Sequence, residues 1–447
     1  MRKKYNNTII AAFVLIFLTG AYVLYSRHKS SEPAKTETKL KLEEKLLTLA
    51  SSHIQSFTLS PRGGVAVTCA KSGGEWAITA PKRLPADSTA VTSLLDTLTS
   101  ATVSEVIEEN PKSLKDYGLD SPAETLKIET DSKPGEFEIK LGDETPTGSS
   151  LYAQLGGSPR VVTLAAYLKT SLVKSLFDLR DKRAVTLGPA QIRKIVAESK
   201  GHRLTLEKNP EGVWDLVLPP AVRADKYAVE NLVDRLRDLQ MQSIVADEKK
   251  EAAKYGLNSP TLRIEVSGVG GSQTLLVGKK DGDKYDATNS AFDSVFTLNG
   301  EIVTDFGKDP ADLRDKDLFS YSAFDVKQVS VTTPQGRRVF EKSSGKWNQT
   351  APKTKAEPSD KVEALLDRLR ELRASSFPKA GGLASFGLAK PAYQFEVHLG
   401  AGNQTETVEI GRAGDKAFAR RSTDPLPCEL PKNALDDIEK ALKDLPQ

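Results

Sequence analysis

Three short stretches decide how this chain folds: Gly74-Glu75-Trp76, Gly212-Val213-Trp214 and Gly345-Lys346-Trp347. They contain the only three tryptophans among its 447 residues. An aromatic-Gly-Leu step follows each one, with its glycine 42, 42 and 40 residues after the tryptophan: Tyr117-Gly118-Leu119, Tyr255-Gly256-Leu257 and Phe386-Gly387-Leu388. A pattern that recurs after 138 and then about 132 positions indicates tandem copies of one module.

We predict three homologous units, at residues 51–183, 184–321 and 322–447. Units of about 130 residues bury enough surface to fold without metal ions or disulfides. Short alternating segments separated by turns predict an antiparallel β meander in each unit. Apolar residues at i, i+3, i+4 and i+7 predict a helix that packs on this meander. The predicted fold class is therefore α+β, with one or two packed helices per unit.

Three kinds of residue are expected to fix this module. An aspartate before the main helix is expected to be its N-cap, because a carboxylate accepts hydrogen bonds from free backbone N–H groups: Asp87, Asp225 and Asp360. A glycine in the aromatic-Gly-Leu step is expected to adopt the left-handed conformation that ends a helix: Gly118, Gly256 and Gly387. The tryptophans are expected to pack in the core, the alternative being platforms for a ligand: Trp76, Trp214 and Trp347.

A charged motif occurs only where another unit follows. It reads Asp178-Leu179-Arg180-Asp181-Lys182 at the end of the first unit and Asp312-Leu313-Arg314-Asp315-Lys316 at the end of the second. The third unit ends instead in an amphipathic helix predicted at residues 434–445. Because a guanidinium forms strong hydrogen bonds with carboxylates, we interpret the motif as a junction latch in which Arg180 and Arg314 reach across to the next unit. A ligand-binding role is the alternative.

The N-terminus indicates a membrane protein. Residues 8–25 are uncharged and mostly apolar, and at about 1.5 Å per residue they reach about 27 Å, just enough to span a bilayer core. We predict a transmembrane anchor there, a cytoplasmic tail at residues 1–7, and a tether at residues 26–50 with a short helix over residues 39–47. Basic residues in the tail favour a single-pass protein of the inner membrane, with its bulk exported to the periplasm or cell exterior. A cleaved signal peptide is the alternative.

Composition and motifs favour no enzyme, metal site or cofactor. The 63 basic and 60 acidic residues are interleaved, which argues against a nucleic-acid partner. Asp281–Asp286 is interpreted as a hairpin turn rather than a calcium loop, and Cys69 is expected in the core, apart from Cys428. The four histidines do not pair at metal-ligand spacing: His28, His53, His202 and His398. We predict no catalytic residue.

The order of these landmarks behind an N-terminal anchor resembles a bacterial family called domain of unknown function 4340. The matching residues are Trp76, Asp87, Tyr117-Gly118-Leu119 and Pro122, with their repeats in the later units. The resemblance covers roughly residue 53 to the C-terminus, and the third unit departs from it with Phe386 for tyrosine. It implies no established activity. Genes for similar proteins often lie beside components of ABC-type transport systems resembling those of gliding motility, which implies a membrane-protein partner.

Three functions are compatible with the sequence. The favoured one is a membrane-anchored envelope protein that binds or scaffolds a partner such as an ABC-type transporter, through exposed sheet edges or grooves between units. The first alternative is an envelope enzyme that modifies carbohydrate or lipid. It requires a cleft with groups of perturbed acidity in one unit only. The second alternative is a passive spacer with no cleft.

Overall fold

The computed structural model describes residues 44–131, 133, 135–199, 201–217, 221–356, 358–378, 381–400 and 404–445. Their strands form three antiparallel sheets, one in each predicted unit, and we call these units repeats one, two and three. The architecture is α+β. The predicted tail (1–7) and anchor (8–25) lie outside the described residues. Within the described ranges, no helix is long and apolar enough to cross a membrane.

Repeat one is built on nine strands: β1 (Ile54–Pro61), β2 (Val67–Ser72), β3 (Glu75–Ala80), β4 (Leu84–Pro85), β5 (Glu105–Glu108), β6 (Glu124–Thr130), β7 (Glu136–Glu144), β8 (Ser150–Leu155) and β9 (Val161–Ala165). Their order across the sheet is β4-β3-β2-β1-β6-β7-β8-β9-β5. Three helices accompany them: α1 (Ser88–Ser100), α2 (Leu168–Leu172) and α3 (Leu176–Leu179). Two meanders therefore meet where β6 pairs with β1.

Repeat two has the same plan, with strands β10 (Ile192–Ser199), β11 (His202–Lys208), β12 (Trp214–Leu216), β13 (Val222–Arg223), β14 (Ser243–Ala246), β15 (Leu262–Gly268), β16 (Gly271–Asp281), β17 (Lys284–Asn289) and β18 (Val295–Asn299). Their order is β13-β12-β11-β10-β15-β16-β17-β18-β14, which is that of repeat one. Its helices are α4 (Lys226–Arg237) and α5 (Glu301–Phe306).

Repeat three has eight strands: β19 (Val326–Thr333), β20 (Gly336–Ser343), β21 (Lys346–Ala351), β22 (Lys355–Ala356), β23 (Tyr393–Leu399), β24 (Thr405–Ala413), β25 (Lys416–Arg421) and β26 (Cys428–Glu429). Their order is β22-β21-β20-β19-β23-β24-β25-β26. Its helices are α6 (Ser359–Arg370) and α7 (Ala434–Lys443). The strand equivalent to β5 and β14 is reduced to a single bridge between Ser376 and Glu429.

The main helix of each repeat covers one face of its sheet with a buried apolar stripe. In α1 the stripe is Val91, Leu94, Leu95 and Leu98, and α4 and α6 repeat the spacing. In the first two repeats the predicted aspartate is the N-cap: Asp87 accepts from the Thr89 and Ala90 N–H groups at 3.0 Å, and Asp225 accepts from Ala228 at 2.9 Å.

The prediction for Asp360 is wrong. Helix α6 begins at Ser359, its N-cap is Pro358, and no side chain caps it. The position four residues before the first buried valine is aspartate in repeats one and two but Pro358 in repeat three. Asp360 lies inside the first turn, where its charge still interacts favourably with the helix dipole.

The aromatic-Gly-Leu step crosses the other face of the sheet. In repeat three, Phe386 and Leu388 pack with Phe418, and Tyr255 and Leu257 form the matching cluster with Val295 in repeat two. Gly387 has a φ of +69°, and a Cβ there would lie 2.2 Å from the Arg412 carbonyl oxygen. Gly118 and Gly256 have the same left-handed backbone, with φ of +64° and +69°. We call the turn at each aromatic-Gly-Leu step a glycine corner. Glycine is required there because the backbone is left-handed and tightly packed.

Each repeat is completed by a lead-in segment from the chain before it: residues 44–47, 182–186 and 316–320. In repeat one the Leu46 N–H donates to Ala101 at 2.8 Å, and Leu47 is 1% exposed. The matching bonds are Ala184 to Leu239 at 2.8 Å and Leu318 to Leu372 at 3.1 Å. Residues 44–50 therefore belong to repeat one rather than to the predicted tether, and residues 44–47 are not helical. The predicted boundary at 321 likewise assigns residues 316–320, which complete repeat three, to repeat two. The chain divides after Asp181 into two compact units, and the second contains repeats two and three.

Candidate functional site

The D-L-R-D-K motif first closes the repeat that it ends. In repeat one the Asp87 N–H donates to the Leu179 carbonyl at 2.8 Å, and the backbone of Arg180 forms an isolated β-bridge with Ala86. Repeat two has the same pair of contacts: Asp225 to Leu313 at 2.7 Å, and Arg314 to Ala224. Both motif arginines are buried, with 5% and 4% exposure. Pro358 occupies the equivalent position in repeat three. Proline has no N–H to donate, so this bond cannot form there.

Arg314 extends from its own repeat into repeat three. Its Nη2 donates to the Leu426 carbonyl at 3.2 Å and lies 3.4 Å from a carboxylate oxygen of Asp424. Its guanidinium stacks over the Phe377 ring, 3.8 Å from the centroid. These three partners hold the arginine from two sides, with its planar face on an aromatic ring and its edge on oxygen acceptors.

The contacts of Arg314 continue into a buried network that joins the two repeats. Arg421 of repeat three lies 3.3 Å from Asp424 and 3.3 Å from Asp315 of the motif. It also donates to the Asp317 carbonyl at 2.7 Å. Asp315 in turn accepts from Arg223 at 2.5 Å. Two motif residues and one lead-in residue therefore bind one loop of repeat three, residues 421–426.

The charges of this junction network do not balance. Its five ionic members are Arg223, Arg314, Arg421, Asp315 and Asp424, which leaves one positive charge in excess. Burial lowers the pKa of Arg314, and Asp424 opposes that shift. Burial also raises the pKa of the neighbouring Cys428 thiol to about 11. Buried ion pairs contribute little net stability but make partner loss expensive, so the network fixes which surfaces meet.

The three tryptophans occupy equivalent strands with different exposure. Trp347 is 1% exposed, Trp214 is 7% exposed, and Trp76 is half-buried against the core of repeat one. A lysine from the preceding strand lies over each ring, 5.0–5.6 Å from its centroid: Lys71, Lys208 and Lys342. A lysine of the same repeat therefore covers each tryptophan ring, where a ligand would have to stack.

Repeat one contains a groove of about 800 Å³ that we call the first-repeat groove. It lies where β8 stops pairing with β7, beyond Leu155. Its lining includes the following side chains: Lys127, Glu129, Glu136, Phe137, Glu138 and Leu155. Three carboxylates against one ammonium make its rim acidic, and Phe137 and Leu155 make its wall apolar.

The same position is polar in the other two repeats. Gln273 accepts from the Thr186 N–H at 3.0 Å, and Glu406 accepts from the Ser320 N–H at 2.8 Å. Both donors belong to lead-in segments. Phe137 occupies the equivalent position on β7 and offers no acceptor. This position therefore gives the lead-in segment of repeat one no hydrogen bond, and the wall of the first-repeat groove differs in chemistry from its counterparts.

Among the described residues of repeat one, Glu124 is the only buried carboxyl group. It is 0% exposed, and neither of its oxygens has a hydrogen-bond partner. Burial raises its pKa to about 7, and the nearby Ser60 and Thr125 backbone amides oppose that shift. The equivalent residues are Leu262 and Tyr393. Glu124 has the perturbed acidity that the enzyme hypothesis requires, but it does not face solvent.

Two of the four histidines, His53 and His398, have local partners, and His28 lies outside the described residues. His53 lies 2.8 Å from Asp131, and His398 lies 2.7 Å from the Thr405 hydroxyl. In the part of the chain that the structure describes, no group of three or more His, Cys, Asp or Glu side chains is arranged to hold a metal ion. Both cysteines, Cys69 and Cys428, are buried, and they do not form a disulfide.

Comparison with known proteins identifies the family. A profile described as "Domain of unknown function (DUF4340)" matches residues 76–215 and again residues 214–391, more than two thirds of the chain. The chain belongs to the DUF4340 family. Each DUF4340 match starts at a tryptophan strand, Trp76 or Trp214, so the family module is offset from the sheets, which start two strands earlier.

Other comparisons add little to this DUF4340 assignment. No curated protein matches the chain. Among solved structures, a DNA polymerase sliding clamp from Pseudomonas aeruginosa, crystallised with ligand, is similar at 8% identity and a TM-score of 0.15. That alignment covers 86% of this chain and 92% of the clamp. Nothing about this DUF4340 chain follows from similarity at that level.

Sequence reasoning found Arg314 but not its partners. Arg421 is the last residue of β25 in this DUF4340 chain and Asp424 lies in the loop that follows, so no periodic signal marks their contact with the motif, which is a tertiary property. Glu124 was visible in principle. It is a carboxylate at a core-facing position of an alternating strand, where the other two repeats carry leucine and tyrosine.

Proposed function

We propose that this protein is a membrane-anchored envelope scaffold that binds a partner such as an ABC-type transporter of the inner membrane. The observation that carries the proposal is the junction network. Five charged groups at the contact of repeats two and three, of which Arg314, Arg421 and Asp424 are buried, fix the geometry of that contact at little gain in net stability. A contact whose geometry is fixed in this way supports a role in which repeats two and three present their surfaces in a constant arrangement.

Sheet edges are poor candidates for the contact with this partner. The edge strands β4, β13 and β22 have two residues each. The opposite edges, β5 and β14, are bulged at Ile107 and Val245, where the register with the neighbouring strand shifts. Short and bulged edges discourage the addition of another strand. We therefore place the contact at the first-repeat groove, whose acidic rim and apolar wall suit a basic segment with apolar side chains.

A site-specific crosslink tests this assignment. A photoreactive amino acid is placed at Glu136, on the rim of the groove, and the full chain is irradiated in native membranes before purification. The matched control carries the same group at Ser272, the equivalent and likewise exposed position of repeat two. We expect a discrete membrane-protein adduct from position 136 and none from position 272.

Two other outcomes decide against the proposal. Adducts of equal yield from both positions would mean that the groove is not the contact surface. Repeated recovery of the chain alone, from either position, would favour the passive spacer.

A further inference from the structure

Glu124 lies at the start of β6 between two residues that offer it no hydrogen bond. Its cross-strand neighbours are Pro61 on β1 and Leu141 on β7. Leu141 is 0% exposed, as is Leu262, which replaces Glu124 in repeat two. Tyr393, the third equivalent, directs its hydroxyl to Glu439 on α7 at 3.1 Å. The fold therefore needs an apolar or aromatic side chain here, and a carboxyl is not required for packing.

The charged groups of the surrounding elements are engaged elsewhere. Arg62, which follows β1, lies 3.2 Å from Asp143 of β7. Lys169 of α2 lies 2.6 Å from Glu144, also on β7. The remaining contacts of this kind are Lys140 of β7 with Glu138, and the hydroxyl of Tyr117, from the corner, with Glu108. An ionised Glu124 would thus be a buried charge without a counter-ion, which is strongly unfavourable.

We propose that Glu124 makes repeat one a pH-responsive element: the start of β6 and the Tyr117-Gly118-Leu119 corner before it are held tightly when the carboxyl is protonated and loosen when it ionises. The corner is coupled to this strand end through Arg62, whose Nη2 donates to the Gly118 carbonyl at 3.4 Å and whose N–H donates to Ala123 at 3.1 Å. This inference concerns repeat one alone and does not depend on the partner proposed above.

The direction of the response follows from linkage. The pKa of Glu124 is raised to about 7 in the folded chain from an ordinary value of 4.5. The stabilising contribution is therefore complete below pH 4.5 and is lost as the pH rises to about 7. Between pH 5.5 and pH 8.5 the equilibrium for local opening should increase about thirtyfold.

Hydrogen exchange of the full chain in detergent measures this opening. Protection factors, corrected for the intrinsic effect of pH, are compared at pH 5.5 and pH 8.5 for peptides covering residues 115–130. The internal control is the equivalent stretch of repeat two, residues 253–268. We expect the first stretch to lose about thirtyfold in protection and the second to lose little. Glu124→Leu and Glu124→Gln should both abolish the difference.

Two results would overturn the proposal. One is equal pH dependence of the two stretches in the unmodified chain. The other is a pH dependence that persists in both Glu124 variants. Leu262→Glu provides the converse test, because it should transfer the response to residues 253–268.

Discussion

Asp424 is the main counter-ion of the junction network, because its carboxylate lies within 3.4 Å of both Arg314 and Arg421. Removing it leaves three arginines facing Asp315 alone. Removing Arg314 instead leaves two arginines and two aspartates, a balanced set. The excess positive charge therefore makes the two partners of one ion pair unequal in their effect on stability.

We predict that Asp424→Asn destabilises repeats two and three by about 3–5 kcal/mol, the usual effect of leaving a buried charge unpaired. Arg314→Met should cost about 1–2 kcal/mol, because it loses charged hydrogen bonds but restores neutrality. Urea unfolding of both variants at pH 7 measures the difference. Equal losses would mean that the charge count does not govern this junction.

The two cysteines should be inert in the folded chain. Burial raises the pKa of Cys69 to about 12 and that of Cys428 to about 11, so almost no thiolate exists at pH 8. We expect neither to react with Ellman's reagent at pH 8 until the chain is unfolded in denaturant. Rapid labelling of Cys428 without denaturant would show that the junction opens readily.

At the scale of elements, the period of the repeats predicts most of the fold. The tryptophan strands, the apolar face of the main helices and the glycine corners depend on local spacing, so they can be predicted from sequence. The lead-in segments cannot, because Leu46 and Leu47 look like part of a charged tether until a sheet is present to bury them. The N-cap of α6 is predicted wrongly for a local reason, because the order Pro358-Ser359-Asp360 places the aspartate two positions after the N-cap.

This difference between the helices can be measured. Asp225→Ala removes a true N-cap and should destabilise repeat two by about 1 kcal/mol. Asp360→Ala removes only a charge in the first turn and should cost a few tenths of a kcal/mol, about 0.3–0.5. Thermal unfolding at low and high salt separates them, because salt screens the whole effect of Asp360 but leaves the hydrogen bond that Asp225 accepts from Ala228.

At the scale of the whole molecule, repeats two and three are coupled through the junction network. Each has its own sheet and its own core, yet the lead-in segment of repeat three begins in the motif that closes repeat two. Leu318, Phe319 and Tyr321 are buried in repeat three, and Arg314 and Asp315 connect the same stretch to Ala224 and Arg223 of repeat two. One segment thus contributes to two modules.

Hydrogen exchange along a urea gradient, resolved into peptides from each repeat, tests this coupling most directly. We predict that peptides of repeats two and three lose protection at the same urea concentration in the unmodified chain. In Asp424→Asn the two sets should separate. Different midpoints for the two repeats in the unmodified chain, left unchanged by Asp424→Asn, would contradict the claim that the junction network makes them one body.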